Sequence, residues 1–369
     1  MEKLQVVFGS WKVRVTEPLL EADRRLRLFE LPDQFTERAY SVLLSPELLR
    51  TLAPDAGTLF GPDIPLATVR QTETGPEVCH LLTRIDPHVA HLIRWGERAP
   101  ASGDLLQDLC RAFDAKHLFL NNWECLYLKG LTDIELEQKY DIDQPFEYFT
   151  LCRQWWRELD DGLVEGFAPQ LGDEIQYWSY DNHFCEIAPN AKGERGYVSI
   201  MQYGKRKNFW SEPRYTYKKK IFNEDSLERW ERNFDNQLLE NDPVEALTTF
   251  FGYPLRPLPQ WRRSRLDLAC EALDSGNLFM VNFDDCRIHG APLPGGRLQQ
   301  CEVEYLKSRS VPDRELIYRD LERLLAHVER FMRSQNLTFR RSNWSKLSFL
   351  RSYQAGAPRP HVADPVPSA

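Results

Sequence analysis

At 369 residues, 42% hydrophobic and 12% aromatic, the chain is long enough for one large or two ordinary domains with a full core. Its formal net charge of −8 argues against a broad surface that coats nucleic acid, so any anion site has to be a local basic cluster. The eight cysteines are scattered without a Cys-x-x-Cys pair, which argues against a zinc ribbon or a thioredoxin-like motif. No run is apolar enough to cross a membrane, and the opening MEKLQVVFGSWK lacks a signal-peptide core. Reduced thiols and a cytoplasmic setting are therefore the expectation.

Residues 1–130 read as a mixed α/β domain of unknown role. Leu4 to Val15 and Arg25 to Leu31 are strand-like. Ser45 caps a short helix to Leu52, Gly103 to Phe113 is a second helix, and Leu118 to Leu128 is an apolar strand. His80, His88 and His91 lie close together, but Pro87 interrupts them and no carboxylate or cysteine spacing supports a metal site. They read as ordinary loop or core histidines.

From Gly130 the pattern changes. Glu135 to Ile142 is a strand, and a helix follows over about Pro145 to Val164 with Phe149, Cys152, Trp156 and Leu159 as its core stripe. Short strands come next, at Glu174–Asp181, His183–Ile187, Tyr197–Tyr203 and Arg214–Phe222, with Lys205 to Pro213 as the hairpin before the last. Ser226 to Glu240 reads as a helix with Trp230, Phe234 and Leu238 inside, and Asp242-Pro243 opens another to about Phe251. Trp261–Glu271, Leu278–Ile288 and Glu302–Lys307 are strands. Asp313 to Arg333 is a long closing helix. Residues 336–369 read as a C-terminal tail, partly disordered, with a Pro/Ala-rich end from about Ala355.

The chemistry sits on two acidic strands. In Glu135-Leu136-Glu137-Gln138-Lys139-Tyr140 the period of two sends Glu135, Glu137 and Lys139 to one face. In Cys301-Glu302-Val303-Glu304-Tyr305 it sends Glu302 and Glu304 together. Buried charge is costly unless paired or bound to metal, so such faces suit a wet, charged cavity. Facing each other across a closed sheet, four carboxylates would suit a hard cation, Mg²⁺ or Mn²⁺. Each strand alone is equally an amphipathic strand with a solvated face. Between them lie three cationic groups: Arg214, Lys218 and Lys220 on one strand face, Arg263 and Arg265 on another, and Lys205 and Lys207 in the hairpin. Singly these are solvated faces; together they space cations along a phosphate chain.

This ordered set resembles the CYTH superfamily of triphosphate tunnel metalloenzymes over about residues 131–335. Glu135, Glu137 and Lys139 match its opening Glu-x-Glu-x-Lys strand. Lys218 or Lys220 matches its lysine strand, Arg263 and Arg265 its arginine strand, and Glu302 and Glu304 its closing Glu-x-Glu strand. Asp284 in VNFDD matches an aspartate before a turn. The resemblance implies an α+β fold: a closed antiparallel eight-stranded β-tunnel with outer helices, here with an N-terminal α/β domain added. It also implies a metal at Glu135, Glu137, Asp284, Glu302 and Glu304, with Glu135, Glu137 and Lys139 as catalytic residues. Lys205, Lys207, Arg214, Lys218, Lys220, Arg263 and Arg265 would then hold phosphate.

One departure bears on substrate. Family members usually carry an Arg-x-Arg pair where this chain has Ser199 and Met201. Losing two charge-assisted contacts, at about 1.5–3 kcal/mol each, favours a shorter or partly organic phosphorylated substrate over bare triphosphate. The leading expectation is a divalent-metal-dependent phosphohydrolase acting on a polyphosphate or an organic di- or triphosphate. The alternatives are a metal-dependent cyclase or lyase that releases pyrophosphate, and a non-catalytic module that binds a phosphorylated ligand. The expected partner is a phosphorylated small molecule, with neither nucleic acid nor membrane involved. Oligomeric state, a homodimer included, is left open.

Overall fold

The structure is a computed structural model. It describes residues 3–10, 25–37, 41–54, 63–73, 75–85, 89–94, 102–115, 127–170, 176–202, 214–239, 242–293, 295–309 and 311–357. Its N-terminal part contains β1 (Leu4–Ser10), β2 (Arg27–Glu30), β3 (Ser41–Leu44), α1 (Pro46–Leu52), β4 (Asp63–Thr72), β5 (Gly75–Ile85), β6 (Ala90–Arg94) and α2 (Leu105–Ala115). The strands form one antiparallel sheet in the order β2-β1-β4-β5-β6-β3. Its core, with Val6, Phe8, Leu66, Leu82 and Phe113, is drawn wholly from this part of the chain. The sequence reading found β1, β2 and both helices but gave no element to β3, β4, β5 or β6. His80 is buried and its Nδ1 lies 2.7 Å from the Thr68 hydroxyl. Burial, then Arg94 and Arg70, push the ring down to about 4, as for a neutral core histidine. His91 is buried on β6, and His88 lies outside the described residues.

The second part begins with β7 (Tyr127–Leu128), β8 (Ile134–Ile142), α3 (Tyr148–Asp160), β9 (Phe167–Pro169), β10 (Gln176–Ile187), β11 (Gly196–Gln202) and β12 (Tyr215–Ile221). It continues with β13 (Glu228–Gln237), α4 (Pro243–Phe251), β14 (Leu255–Pro257), β15 (Trp261–Ala272), β16 (Asn277–Ile288), β17 (Arg297–Arg309), α5 (Arg314–Ser334), β18 (Phe339–Ser342) and α6 (Lys346–Gln354). Eight of these strands pair in the order β10-β11-β12-β13-β8-β17-β16-β15, and β15 pairs back onto β10. Every pairing is antiparallel, so the sheet closes into an eight-stranded tunnel and the fold is α+β, as the sequence implied.

Closure needs both faces of each strand to be accounted for. On β8, Leu136 and Tyr140 face outward into the main core with Trp155 of α3 and Leu321, Leu324 and Val328 of α5. On β17, Val303 and Tyr305 do the same. The charged residues between them are left facing the interior. The α3 stripe is displaced from the expected one: Leu151, Cys152, Trp155 and Leu159 are buried, while Phe149 is exposed.

The segment Ser226 to Glu240, expected as a helix, is instead strand β13. Trp230 and Phe234 have helical spacing, but Glu-Arg-Trp-Glu-Arg-Asn also alternates. Hydrogen-bonded neighbours β12 and β8 on its two edges select the strand. Glu174–Asp181 and His183–Ile187, expected as two strands, are the single strand β10. Within residues 336–369, the described part contains β18, paired to β8, and α6, capped by Ser345. Residues beyond 357 lie outside the described set. No described helix is long and apolar enough to cross a membrane, and the seven described cysteines are free thiols.

Gly196 opens β11 at φ +130°, where a Cβ would stand 2.1 Å from the Lys220 carbonyl oxygen. Only glycine allows that approach of β11 to the strand carrying Lys218 and Lys220. Gly196→Ala is expected to cost more than about 2 kcal/mol in urea unfolding, read as a lower midpoint with an unchanged slope.

Candidate functional site: a charged tunnel

Register carries the interior set from strand to strand. Glu304 stands opposite Glu137, Glu302 opposite Lys139, and Arg229 opposite Glu135. Lys220 stands opposite both Glu231 and Tyr197, and Lys218 opposite Ser199. Directly opposed residues share a face. These side chains line one cavity of about 270 Å³ in the tunnel. Five carboxylates (Glu135, Glu137, Glu231, Glu302, Glu304) and seven cations (Lys139, Lys218, Lys220, Arg229, Arg263, Arg265, Lys346) face it. Cations outnumber carboxylates by two among the lining residues, and Asp284 and Asp267 beside them pair with Arg263, Lys346 and Arg265, so the cluster as a whole is balanced.

The charges are interleaved. Lys220 Nζ donates to both oxygens of Glu135 at 2.6 Å and lies 2.8 Å from Glu231. Lys218 reaches Glu231 at 2.9 Å. Arg229 pairs with Glu137 and lies 3.1 Å from Glu135. Lys139 also pairs with Glu137. Burial and Glu302 push the Glu137 carboxyl up, but Lys139, Arg229 and Lys220 outweigh them and hold it at about 2. Burial likewise opposes ionisation of Glu231, yet Lys218 and Lys220 hold it well below the usual carboxylate range.

A second cluster forms around Lys346, the first residue of α6. Lys346 Nζ lies 2.7 Å from Asp284 Oδ2 and also pairs with Glu302. Arg263 donates from Nε to Asp284 at 3.0 Å and from Nη2 to Glu302 at 2.6 Å. Leu347, Phe349 and Leu350 of the same helix pack on Phe184, Tyr197, Trp261 and Leu298. Asp225 anchors the helix start, accepting from the Ser345 N–H at 3.0 Å and the Ser348 hydroxyl at 2.7 Å.

Most of the expected site residues converge here. Glu135, Glu137, Lys139, Lys218, Lys220, Arg263, Arg265, Glu302 and Glu304 all line the cavity. The five carboxylates expected to share a metal do not form one group. Glu135, Glu137 and Glu304 each offer an oxygen within 4.8 Å of the others. Glu302 and Asp284 are drawn away to Arg263 and Lys346. Arg214 also stands apart: the register shifts between Tyr215 and Tyr217, and its Nη1 donates to the Asn236 carbonyl at 3.4 Å. Lys205 and Lys207 lie outside the described residues.

Three contributors escaped the sequence reading. Arg229 and Glu231 were placed on a helix, although their alternation with Trp230 was a usable signal. Lys346 carried no signal, because one lysine beyond the closing helix has no pattern around it.

The three-glutamate group suits a hard divalent cation by donor type. Among the described residues Glu304 makes no hydrogen bond or ion pair, unlike Glu135 and Glu137. Burial, then Glu135, Glu137 and Glu231, push its carboxyl up to about 8. A carboxyl kept protonated beside two carboxylates is the arrangement that a bound cation would relieve.

No family model matches the chain, and no curated protein matches it. Among solved structures, PH1819 of Pyrococcus horikoshii OT3 is similar at 13% identity and TM-score 0.35, over 59% of this chain and 98% of that one. The Pct1 RNA triphosphatase of S. pombe is similar at 7% identity and TM-score 0.26, over 61% of this chain and 91% of that one. The Mediator head module of Schizosaccharomyces pombe gives 8% and 0.27, over 57% of this chain and the whole of the matched one. The tunnel itself is established by this chain's own strand pairing.

The raised Glu304 value sets a sign for stability. An ordinary glutamate in the unfolded chain titrates near 4.3. Between there and about 8 the folded metal-free protein keeps a proton that the unfolded chain releases, so this group's contribution falls as pH rises through that window. In EDTA, Glu304→Gln is expected to flatten the decline of Tm from pH 5.5 to 8.5 relative to the unsubstituted protein. Mn²⁺ added near pH 7 should release about one proton per protein, and the variant should release none.

Proposed function

We propose that the tunnel binds a phosphate chain with a divalent cation and hydrolyses one of its phosphoanhydride bonds, as the resemblance to the triphosphate tunnel metalloenzymes implies. The observation that carries this reading is the charge arrangement of the cavity. Seven cations line the same cavity as a three-carboxylate group able to take a cation of its own, in a space at the small end of ligand pockets. A divalent ion adds positive charge to this balanced cluster, and a polyphosphate is the kind of ligand that cancels it.

In this reading Glu135, Glu137 and Glu304 hold Mg²⁺ or Mn²⁺, which supplies Lewis acidity at phosphate oxygens. Lys218, Lys220, Arg229 and Arg265 bind the chain of phosphate oxygens, the guanidiniums by forked contacts and the lysines as point charges. Lys139, between Glu137 and Glu302, keeps positive charge beside the carboxylate pair. Arg263 and Lys346 neutralise Asp284 and Glu302. Water attacks phosphorus, the P–O–P bridge breaks, and orthophosphate leaves with the shortened chain. The protein's part is positioning and charge stabilisation rather than covalent chemistry.

Phosphate release from inorganic tri- and polyphosphate and from nucleoside triphosphates, with Mg²⁺ or Mn²⁺, tests this. The expected result is metal-dependent release that Glu137→Gln lowers by about 10²–10³-fold while the variant stays folded. Metal-dependent binding with no release above the variant on any substrate would overturn the hydrolase reading and leave a binding tunnel. Pyrophosphate with a cyclised product would replace hydrolysis with elimination or cyclisation.

A further inference from the structure

The cavity is not charged all round. Every charged residue that lines it comes from β8, β12, β13, β15, β17 or the start of α6. The two adjacent strands β10 and β11 contribute Tyr180, Asn182, Phe184, Tyr197, Ser199 and Met201, none of them charged. Phe184 and Tyr197 stack there with centroids 4.2 Å apart, and Trp261 meets Phe184 edge-on at 5.2 Å.

Three polar atoms on or beside this wall are buried and without a hydrogen-bond partner among the described residues: Asn182 Nδ2, Ser199 Oγ and Trp261 Nε1. Their residues are 2%, 1% and 1% exposed, and all three line the cavity. Asn182 is directly opposite Trp261 across the β10–β15 ladder, and Ser199 lies on the neighbouring strand. A buried donor without a partner is costly, and three on one wall call for a common ligand. Two are donors only and the third can donate, so they ask for acceptor atoms. The aromatic surface around them favours an uncharged group over a further phosphate.

Resting on the tunnel reading above, we infer that the β10–β11 wall is a subsite for an uncharged, acceptor-bearing organic group joined to the phosphate chain. Asn182, Ser199 and Trp261 read its acceptors, while the cations of the flanking strands β12, β13 and β15 hold the phosphates beside the three-glutamate group. The substrate is then an organic di- or triphosphate rather than an inorganic polyphosphate.

Calorimetry on the full chain with Mn²⁺ separates the two ideas, using inorganic triphosphate and the four ribonucleoside triphosphates as probes. These share the phosphate chain and differ by the organic part alone. At least one nucleoside triphosphate is expected to bind about tenfold or more tighter than inorganic triphosphate. Asn182→Ala and Ser199→Ala should each shrink that ratio, and Ser199→Arg should reverse it in favour of inorganic triphosphate. Unchanged Mn²⁺ affinity is the control for folding, and Trp261→Phe, which keeps an aromatic ring and removes the indole N–H with the pyrrole part of the ring system, is a second independent probe. Inorganic triphosphate binding as tightly as every nucleoside triphosphate would overturn this inference and leave the tunnel reading standing. A ratio that all these variants leave unchanged would overturn it as well. Binding of none of the probes would overturn both.

Discussion

Every feature of this tunnel answers to the cost of taking charge out of water. A closed sheet leaves its interior side chains no bulk solvent, and an isolated buried ion costs several kcal/mol even after relaxation. Twelve ionisable residues line the cavity, and all but Glu304 are tolerated through oppositely charged neighbours. Lys220 lies between Glu135 and Glu231, Arg229 between Glu135 and Glu137, and Lys346 between Asp284 and Glu302. Such a lattice is a poor source of net stability, because the Coulombic gain mostly repays desolvation. It makes sense as a site pre-organised for a charged ligand.

The lattice also divides the cavity by function. The first group, with Glu304 unpaired beside Glu135 and Glu137, retains an acidic demand that a cation can meet. The second group, with two carboxylates between Arg263 and Lys346, is already neutral. Helix α6 contributes to that division: its first residue supplies a cation that pairs with Glu302 and Asp284, and its apolar side chains pack on Phe184, Tyr197, Trp261 and Leu298. A shift of the helix start would change the charge there, and Asp225 holds that start by two hydrogen bonds.

Legibility in the sequence followed local pattern. The acidic strands were readable because Glu135, Glu137 and Lys139 alternate with Leu136 and Tyr140, and a period of two is a local property. The same holds for Arg263 and Arg265, and for Glu302 and Glu304 around Val303. The start of α1 was readable because the Ser45 side chain accepts from the backbone N–H of Leu48, three residues on. Strand β13 was misread because Trp230 and Phe234 satisfy a helical period and the alternation together. Its hydrogen bonds to β12 and β8 decide between them, and those partners lie far along the chain. Strands β4 and β6 are buried on both faces for much of their length, so they lack the alternation that marks a half-exposed strand.

The sequence by itself determined which side chains share a face of a strand, and hence that carboxylates and cations would point together into some enclosed space. That follows from backbone pleat, which needs no neighbour. Only the tertiary structure decided how those faces meet: that Glu304 joins Glu135 and Glu137, that Glu302 leaves them for Arg263 and Lys346, and that Arg214 stays outside. Those outcomes depend on register between distant strands, on one bulge and on where a C-terminal helix docks. Each is fixed by hydrogen bonding and burial across the closed sheet rather than by adjacent residues.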